Sequence, residues 1–145
     1  MSSEHTKTVV RHLAHSAAID QELAPLIFEL WKAQISTSAS CQESPKGRAW
    51  IRFSSPADAL SFLNVVIKYV PEEEPFYRRM IGRDKTPRDW KYALEPEQVT
   101  DWASDAADQL NWKPPSRVAF EVTIWIPTDD VSVVAALLKD YNGAA

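Results

Sequence analysis

From Arg48 to Phe53 the chain alternates. Ala49, Ile51 and Phe53 fall on one side and Arg48, Trp50 and Arg52 on the other, the period of two expected of a strand with one wetter face. Ser55 then reads as a helix cap, with Pro56 at the first helical position and Asp58 where a capping box wants an acceptor. The helix it opens is apolar on most sides, through Leu60, Phe62, Leu63, Val65, Val66, Ile67 and Val70, so it is expected to be central and well buried. The same signals return between Arg117 and Tyr141. Val118, Phe120, Val122, Ile124 and Ile126 alternate with Ala119, Glu121, Thr123 and Trp125. Thr128 caps, Asp129 and Asp130 complement the positive helix end, and Val131, Val134, Leu137, Leu138 and Tyr141 form the inward stripe. Asn142-Gly143 closes it. Two strand–cap–helix units suggest a duplicated architecture, although their residues match too poorly for a sequence repeat.

Upstream, residues 6–19 place Val9, Val10, Leu13, Ala17 and Ala18 at helical spacing, while a strand over Lys7–Leu13 fits the same residues. Asp20 reads as a cap for a second helix that begins between Gln21 and Pro25 and runs to about Ile35, burying Leu23, Leu26, Ile27, Leu30 and Trp31. Ser36–Gly47 is polar and rich in turn formers, which reads as a loop. Between the two units lie the acidic run Pro71–Pro75, a basic stretch Tyr77–Tyr92 and a short alternating run with Trp90, Tyr92 and Leu94 on one side. A helix is predicted over Pro96–Trp112, with Val99, Trp102, Ala106 and Leu110 facing inward and Glu97, Asp101, Asp105 and Asp108 forming a negative stripe. These elements define an α+β class: a small mixed or antiparallel sheet of three to four strands, helices packed on one face, two strand–cap–helix units and an N-terminal helical pair. They fit one domain over 1–145, with a helical segment 6–36 beside a sheet–helix core 48–142. The order β-α-β-β-α-β of ferredoxin-like folds is approached, with an extra helix and one strand unaccounted for; that likeness is architectural and implies no activity.

At 145 residues, 45% hydrophobic and 25% charged, the chain can bury a core without staples. It contains no apolar run near the roughly 20 residues of a membrane span, and Met1–His5 lacks the features of a signal peptide. A single cysteine, Cys41, allows no internal disulfide, and these features together favour a reducing cytoplasm. The formal charge of −4 argues against bulk nucleic-acid binding. It is unevenly spread. Tyr77–Tyr92 holds six cations and two acids, a net of +4, and the remaining chain carries −8.

That segment is the first candidate for chemistry. Arg78, Arg79, Arg83, Lys85, Arg88 and Lys91 interleave with Tyr77, Trp90 and Tyr92, and arginine forks with stacking aromatics can hold a phosphate, a base or an acidic partner. The plainer reading is mutual neutralisation by neighbouring acids, and it is the safer one. The second candidate is the wetter sheet face, where Trp50 and Trp125 stand among Arg52, Glu121 and Thr123; either the N-terminal helices cover it or a partner does. His12 and His15 share a helix face if the segment is helical, and as a strand they would point to opposite faces. They read as polar positions rather than metal ligands, with His5 on a tail. Cys41 reads as a free thiol rather than a nucleophile, and the Asp101–Asp108 row as a solvated face. With three glycines in the chain, neither a P-loop nor G-x-G-x-x-G can be written. No cofactor, catalytic residue or metal site is assigned. The leading expectation is a non-enzymatic interaction or regulatory protein with a protein partner, a homodimer being one form of it. A nucleic-acid accessory protein using 77–92 ranks second and an enzyme whose residues converge only in the fold third.

Overall fold

A computed structural model describes residues 5–44, 46–71, 74–99 and 117–144, with no side-chain description at 97–99 and 117. It is mixed α+β, and the described residues form two antiparallel sheets and four helices. The chain begins with a two-stranded hairpin, β1 (Lys7–His12) and β2 (His15–Asp20), followed by α1 (Ala24–Lys32). Next come β3 (Thr37–Cys41), β4 (Arg48–Phe53), α2 (Pro56–Lys68) and α3 (Pro75–Ile81). It ends with β5 (Lys91–Val99), β6 (Arg117–Pro127) and α4 (Thr128–Ala144). The second sheet has the order β3-β4-β6-β5, antiparallel throughout.

The alternation in β4 and β6 is what the sheet uses. Ala49, Ile51, Phe53, Ile124 and Ile126 are all fully buried, in one cluster with Phe62 and Val66 of α2, Val134 and Leu138 of α4, and Leu26, Ile27 and Leu30 of α1. Phe53 stacks on Phe62 at 5.1 Å. Ser55 caps α2 as its sequence predicts, its hydroxyl accepting from the Asp58 amide at 3.1 Å. Only one face of α2 is buried, however: Ala59, Phe62, Val65 and Val66 face the sheet while Leu60 and Ile67 are exposed.

Several expectations are corrected. The N-terminal segment is the hairpin, not a helix; its buried positions are Val10 and Ile19, on the face that packs on α1, while Val9 points out. Asp20 ends β2 and does not cap α1, which has Leu23 in that position and no side-chain cap. Ser36–Gly47 contains β3, a strand of small residues whose alternation carries no hydrophobic signal and which forms by pairing with β4. The predicted helix from Pro96 is a strand as far as Val99, paired with Arg117–Phe120; β5 is an edge strand, where proline is tolerated. The rest of that predicted helix, with Asp101, Trp102, Asp105, Ala106, Asp108 and Leu110, lies outside the described residues. Asn142 and Gly143 continue α4 rather than closing it, and the Asn142 amide reaches back to the Glu29 carbonyl of α1 at 2.9 Å.

Phe120 departs from the buried stripe. It is 44% exposed, and Val118 and Leu94 are exposed as well. β4 pairs with β6 from Val122 to Pro127, so among the described residues the 117–121 half of β6 has β5 as its one strand neighbour. The apolar face continues there beyond the core.

The hairpin turn is Leu13–Ala14, and Leu13 adopts φ +53°. Turns of two residues want glycine at such a position, and Leu13 is 89% exposed, so its side chain contributes little packing. Leu13→Gly is expected to stabilise the protein by roughly 0.5 kcal/mol, the relief of left-handed strain exceeding the added chain entropy. Urea denaturation checks this, and a lower midpoint would contradict the turn described.

Candidate functional site

Three constellations combine side chains from separate elements. The first is the outer face of the four-stranded sheet. Cross-strand pairing sets residues in rows, Cys41–Trp50–Trp125–Lys91 and then Ala39–Arg52–Thr123–Ala93. Trp50 and Trp125 are directly opposite one another at the centre of the first row and both are half-buried. The Arg52 guanidinium lies 5.7 Å from the Trp50 ring centroid. Arg52 Nε donates to Thr123 Oγ1 at 3.3 Å, and that hydroxyl donates to Glu95 Oε1 at 2.8 Å. Glu95 and Glu121 also stand opposite each other, an unfavourable pairing of like charges that is relieved because Glu95 lies 3.6 Å from Arg52 and Glu121 accepts from Ser38. The N-terminal segment is one of the two covers the sequence allows for this face, the other being a partner. Instead it packs on α1 and against β3.

The second constellation is the basic segment. It is ordered: α3 is capped by Gly82 in the left-handed conformation, and the Asp89 carboxylate accepts from the Thr86 amide and hydroxyl. Arg79 forks onto Asp130 at the start of α4, with Nε–Oδ2 3.2 Å and Nη2–Oδ1 2.7 Å. The hydrogen bond to Asp130 raises the guanidinium's pKa above its ordinary value, against the opposing effect of burial. Arg78 pairs with Asp84 and Arg88 with Asp129. Arg48 reaches in from β4 and donates to the Pro87 and Asp89 carbonyls. The structure places Trp90 in the core, stacked on Phe62 and edge-on to Phe76, with Nε1 donating to Asp130 at 3.1 Å. Tyr77 packs partly against the core, and the Tyr92 hydroxyl donates to the Met80 carbonyl. Burial of that hydroxyl pushes its pKa up. Arg83, Lys85 and Lys91 remain exposed on the surface. An open groove of about 400 Å³ runs between α3 and the 84–89 loop, but Asp84 and Asp89 line it together with Arg78, Arg79 and Arg88.

The third was not legible in the sequence. His5, Asp20 and Cys41 converge from the segment before β1, the end of β2 and the end of β3. His5 Nδ1 lies 2.9 Å from Asp20 Oδ2 and 3.8 Å from Cys41 Sγ. The Gln42 amide also donates to Asp20 Oδ2 at 2.9 Å. Burial alone would raise the Asp20 pKa, but the Gln42 amide, the hydrogen bond and charge of His5, and the charge of Lys7 together hold it below its ordinary value. Carboxylate and thiol approach the same imidazole nitrogen, whereas a relay from nucleophile to orienting acid needs opposite nitrogens. This is therefore no Cys–His–Asp triad. His12 and His15 are cross-strand partners at the hairpin tip and share a face, as the helical reading had it, but through strand pairing rather than helix spacing. Each lies against an aromatic of α1: His12 edge-on to Phe28, His15 stacked on Trp31.

The sequence matches no known protein-family model, no curated protein and no solved structure. No described helix is long and apolar enough to cross a membrane. Function has to be read from the three constellations themselves.

Two outcomes follow from the geometry. Asp130→Ala removes the acceptor for both Arg79 and Trp90 at a buried point and is expected to cost about 3–5 kcal/mol. Arg88→Ala, at a pair whose side chains are 61% and 81% exposed, is expected to change stability by less than about 0.5 kcal/mol; denaturant titration of both separates them. Asp20, with its pKa depressed, stabilises the fold above its ordinary value of 3.8 and loses that contribution as pH falls through the lower folded value. Asp20→Asn is thus expected to lower the thermal midpoint near neutral pH, with the gap to wild type closing below pH 3.8. A gap independent of pH would contradict it.

Proposed function

We propose that this chain is a non-enzymatic docking module that binds a protein partner through the outer sheet face centred on Trp50, Arg52 and Trp125. The cross-strand tryptophan pair carries this reading. Two large rings on paired strands offer contact area at low entropic cost, and tryptophan with arginine is the usual composition of an interface anchor. The surrounding charges are of both signs: Arg52 and Lys91 against Glu95 and Glu121. A nucleic-acid platform would want a basic surround, and three arginines of the basic segment are already paired with Asp84, Asp129 and Asp130. A protein surface of mixed charge suits this face better. A second copy of the chain is one such partner.

The experiment compares wild type with the Trp50→Ala/Trp125→Ala double variant, both confirmed as folded by circular dichroism. A photo-crosslinker at Ala93 identifies the partner in cells, and the affinity for that purified partner is then measured. The double variant is expected to bind at least about 30-fold more weakly, the loss of one strong anchor or more. If the crosslinked partner is the chain itself, sedimentation shows a mass twice 16.4 kDa that the double variant lacks. Unchanged affinity in the double variant overturns the reading. So does capture of nucleic acid with a steep salt dependence.

A further inference from the structure

We propose that His5, Asp20 and Cys41 form a binding site for one zinc ion, closed by a water molecule as fourth ligand. Cys41 also stands at the β3 end of the first row of the docking face, but the zinc site does not rest on that reading. Among the described residues these three are the group of metal-ligating side chains whose donor atoms gather within 4.8 Å of one another. They come from three separate segments, 15 and 36 residues from His5 along the chain, as metal sites usually require, rather than from one charged helix face.

The donor set selects the metal. One thiolate, one imidazole and one carboxylate are borderline-soft to hard ligands of the kind zinc takes, and three protein ligands plus water is the open zinc arrangement. Magnesium and calcium would want oxygen donors alone. With zinc–ligand bonds of about 2.0–2.3 Å at tetrahedral angles, sulfur and nitrogen should be about 3.6 Å apart and nitrogen and oxygen about 3.3 Å. The observed separations are 3.8 Å and 2.9 Å. The Cys41 sulfur and the Asp20 carboxylate lie within 4.8 Å of each other and must close towards about 3.6 Å, while the His5–Asp20 contact opens by less than about half an ångström, to bring all three onto one ion; rotation of the Cys41 side chain supplies the closing movement.

The surroundings suit the charges. A thiolate and a carboxylate balance the dication. The Gln42 amide holds the carboxylate in place, as supporting hydrogen bonds around zinc ligands do. Cys41 directs its thiol at the Glu43 carbonyl, 3.6 Å away. On binding, the thiol proton leaves to solvent and the sulfur lone pair goes to the metal. The imidazole binds through its Nδ1 lone pair, with any proton carried at Nδ1 leaving to solvent and Nε2 keeping or taking the remaining one. Nothing is oxidised or reduced. The effect on the fold is to fasten the chain preceding β1 to the ends of β2 and β3, so ligation adds directly to stability.

The test is a zinc titration of the full metal-free chain, in a thiol-free reductant, against a chromophoric chelator. One equivalent is expected to bind with a Kd of about 1 µM or tighter. Cobalt in place of zinc is expected to give a thiolate charge-transfer band and the strong visible bands of a four-coordinate ion. Cys41→Ser and His5→Gln, both at half-buried positions outside the core, are each expected to weaken zinc by more than about tenfold, and Cys41→Ser to abolish the cobalt charge-transfer band, while His12→Gln binds as wild type. Weaker wild-type binding, a missing charge-transfer band, or retained affinity in either ligand variant overturns the proposal. None of these readouts depends on a protein partner, so failure here and failure of the docking surface remain distinguishable.

Discussion

The pairing of β4 with β6 is the constraint on which the rest of the molecule depends. These are the two central strands, and their register sets Ile51 opposite Ile124 and Ala49 opposite Ile126. Side chains alternate along a strand, so a slip of one residue would turn every buried position outward. The same register that delivers Ile51 and Ile124 to the helices therefore delivers Trp50 and Trp125, as a pair, to the other face. The tryptophans are not loosely placed surface residues. Their position is fixed by the burial of their neighbours, which gives an aromatic surface preorganised by the core itself.

Asp130 extends that core to the segment that looked most like a binding site. It stands at the start of α4, where a carboxylate complements the helix end, and it is nearly fully buried. From there it accepts from Arg79 and from Trp90. The strongest concentration of positive charge in the sequence is thus bound down at one point by a carboxylate 51 residues away from Arg79. Arg48 adds a second tie, from β4 to the backbone of the 87–89 turn. Among the described residues, the acids that compensate these arginines are Asp129 and Asp130 of α4 and Asp84.

What could be read from the sequence, and what could not, follows from how each element is held. β4 and α2 announce themselves because local signals agree: alternation, then Ser55 as cap, then an apolar stripe; Thr128, read as a cap, is instead the first residue of α4. β3 was invisible because Thr37, Ser38, Ala39, Ser40 and Cys41 carry almost no apolar signal, and the strand exists through its pairing with β4. The β1–β2 hairpin was misread because its turn, Leu13–Ala14, lacks the glycine or asparagine that marks such turns. Val9, Val10 and Leu13 fit a helix equally well on spacing alone. Phe120 and Leu94 misled in the opposite direction. Their alternation is real, but the strands carrying them extend past the helices that would have covered them.

The His5–Asp20–Cys41 group shows the same limit at the level of chemistry. Each residue had a sufficient local explanation: a histidine in a tail, an aspartate at a helix start, a thiol in a serine-rich loop. No spacing rule links them, because what joins them is two hairpins laid side by side. Once β1–β2 is a hairpin, Asp20 lies beside Thr6 and the preceding residue, as the bond from the Gln21 amide to the Thr6 carbonyl shows. Once β3 pairs with β4 and contacts β2, the end of β3 arrives at the same corner. Both steps were misread locally, so their product could not be foreseen. A site assembled from sheet edges becomes readable only after the weakest strands in the sequence have been placed.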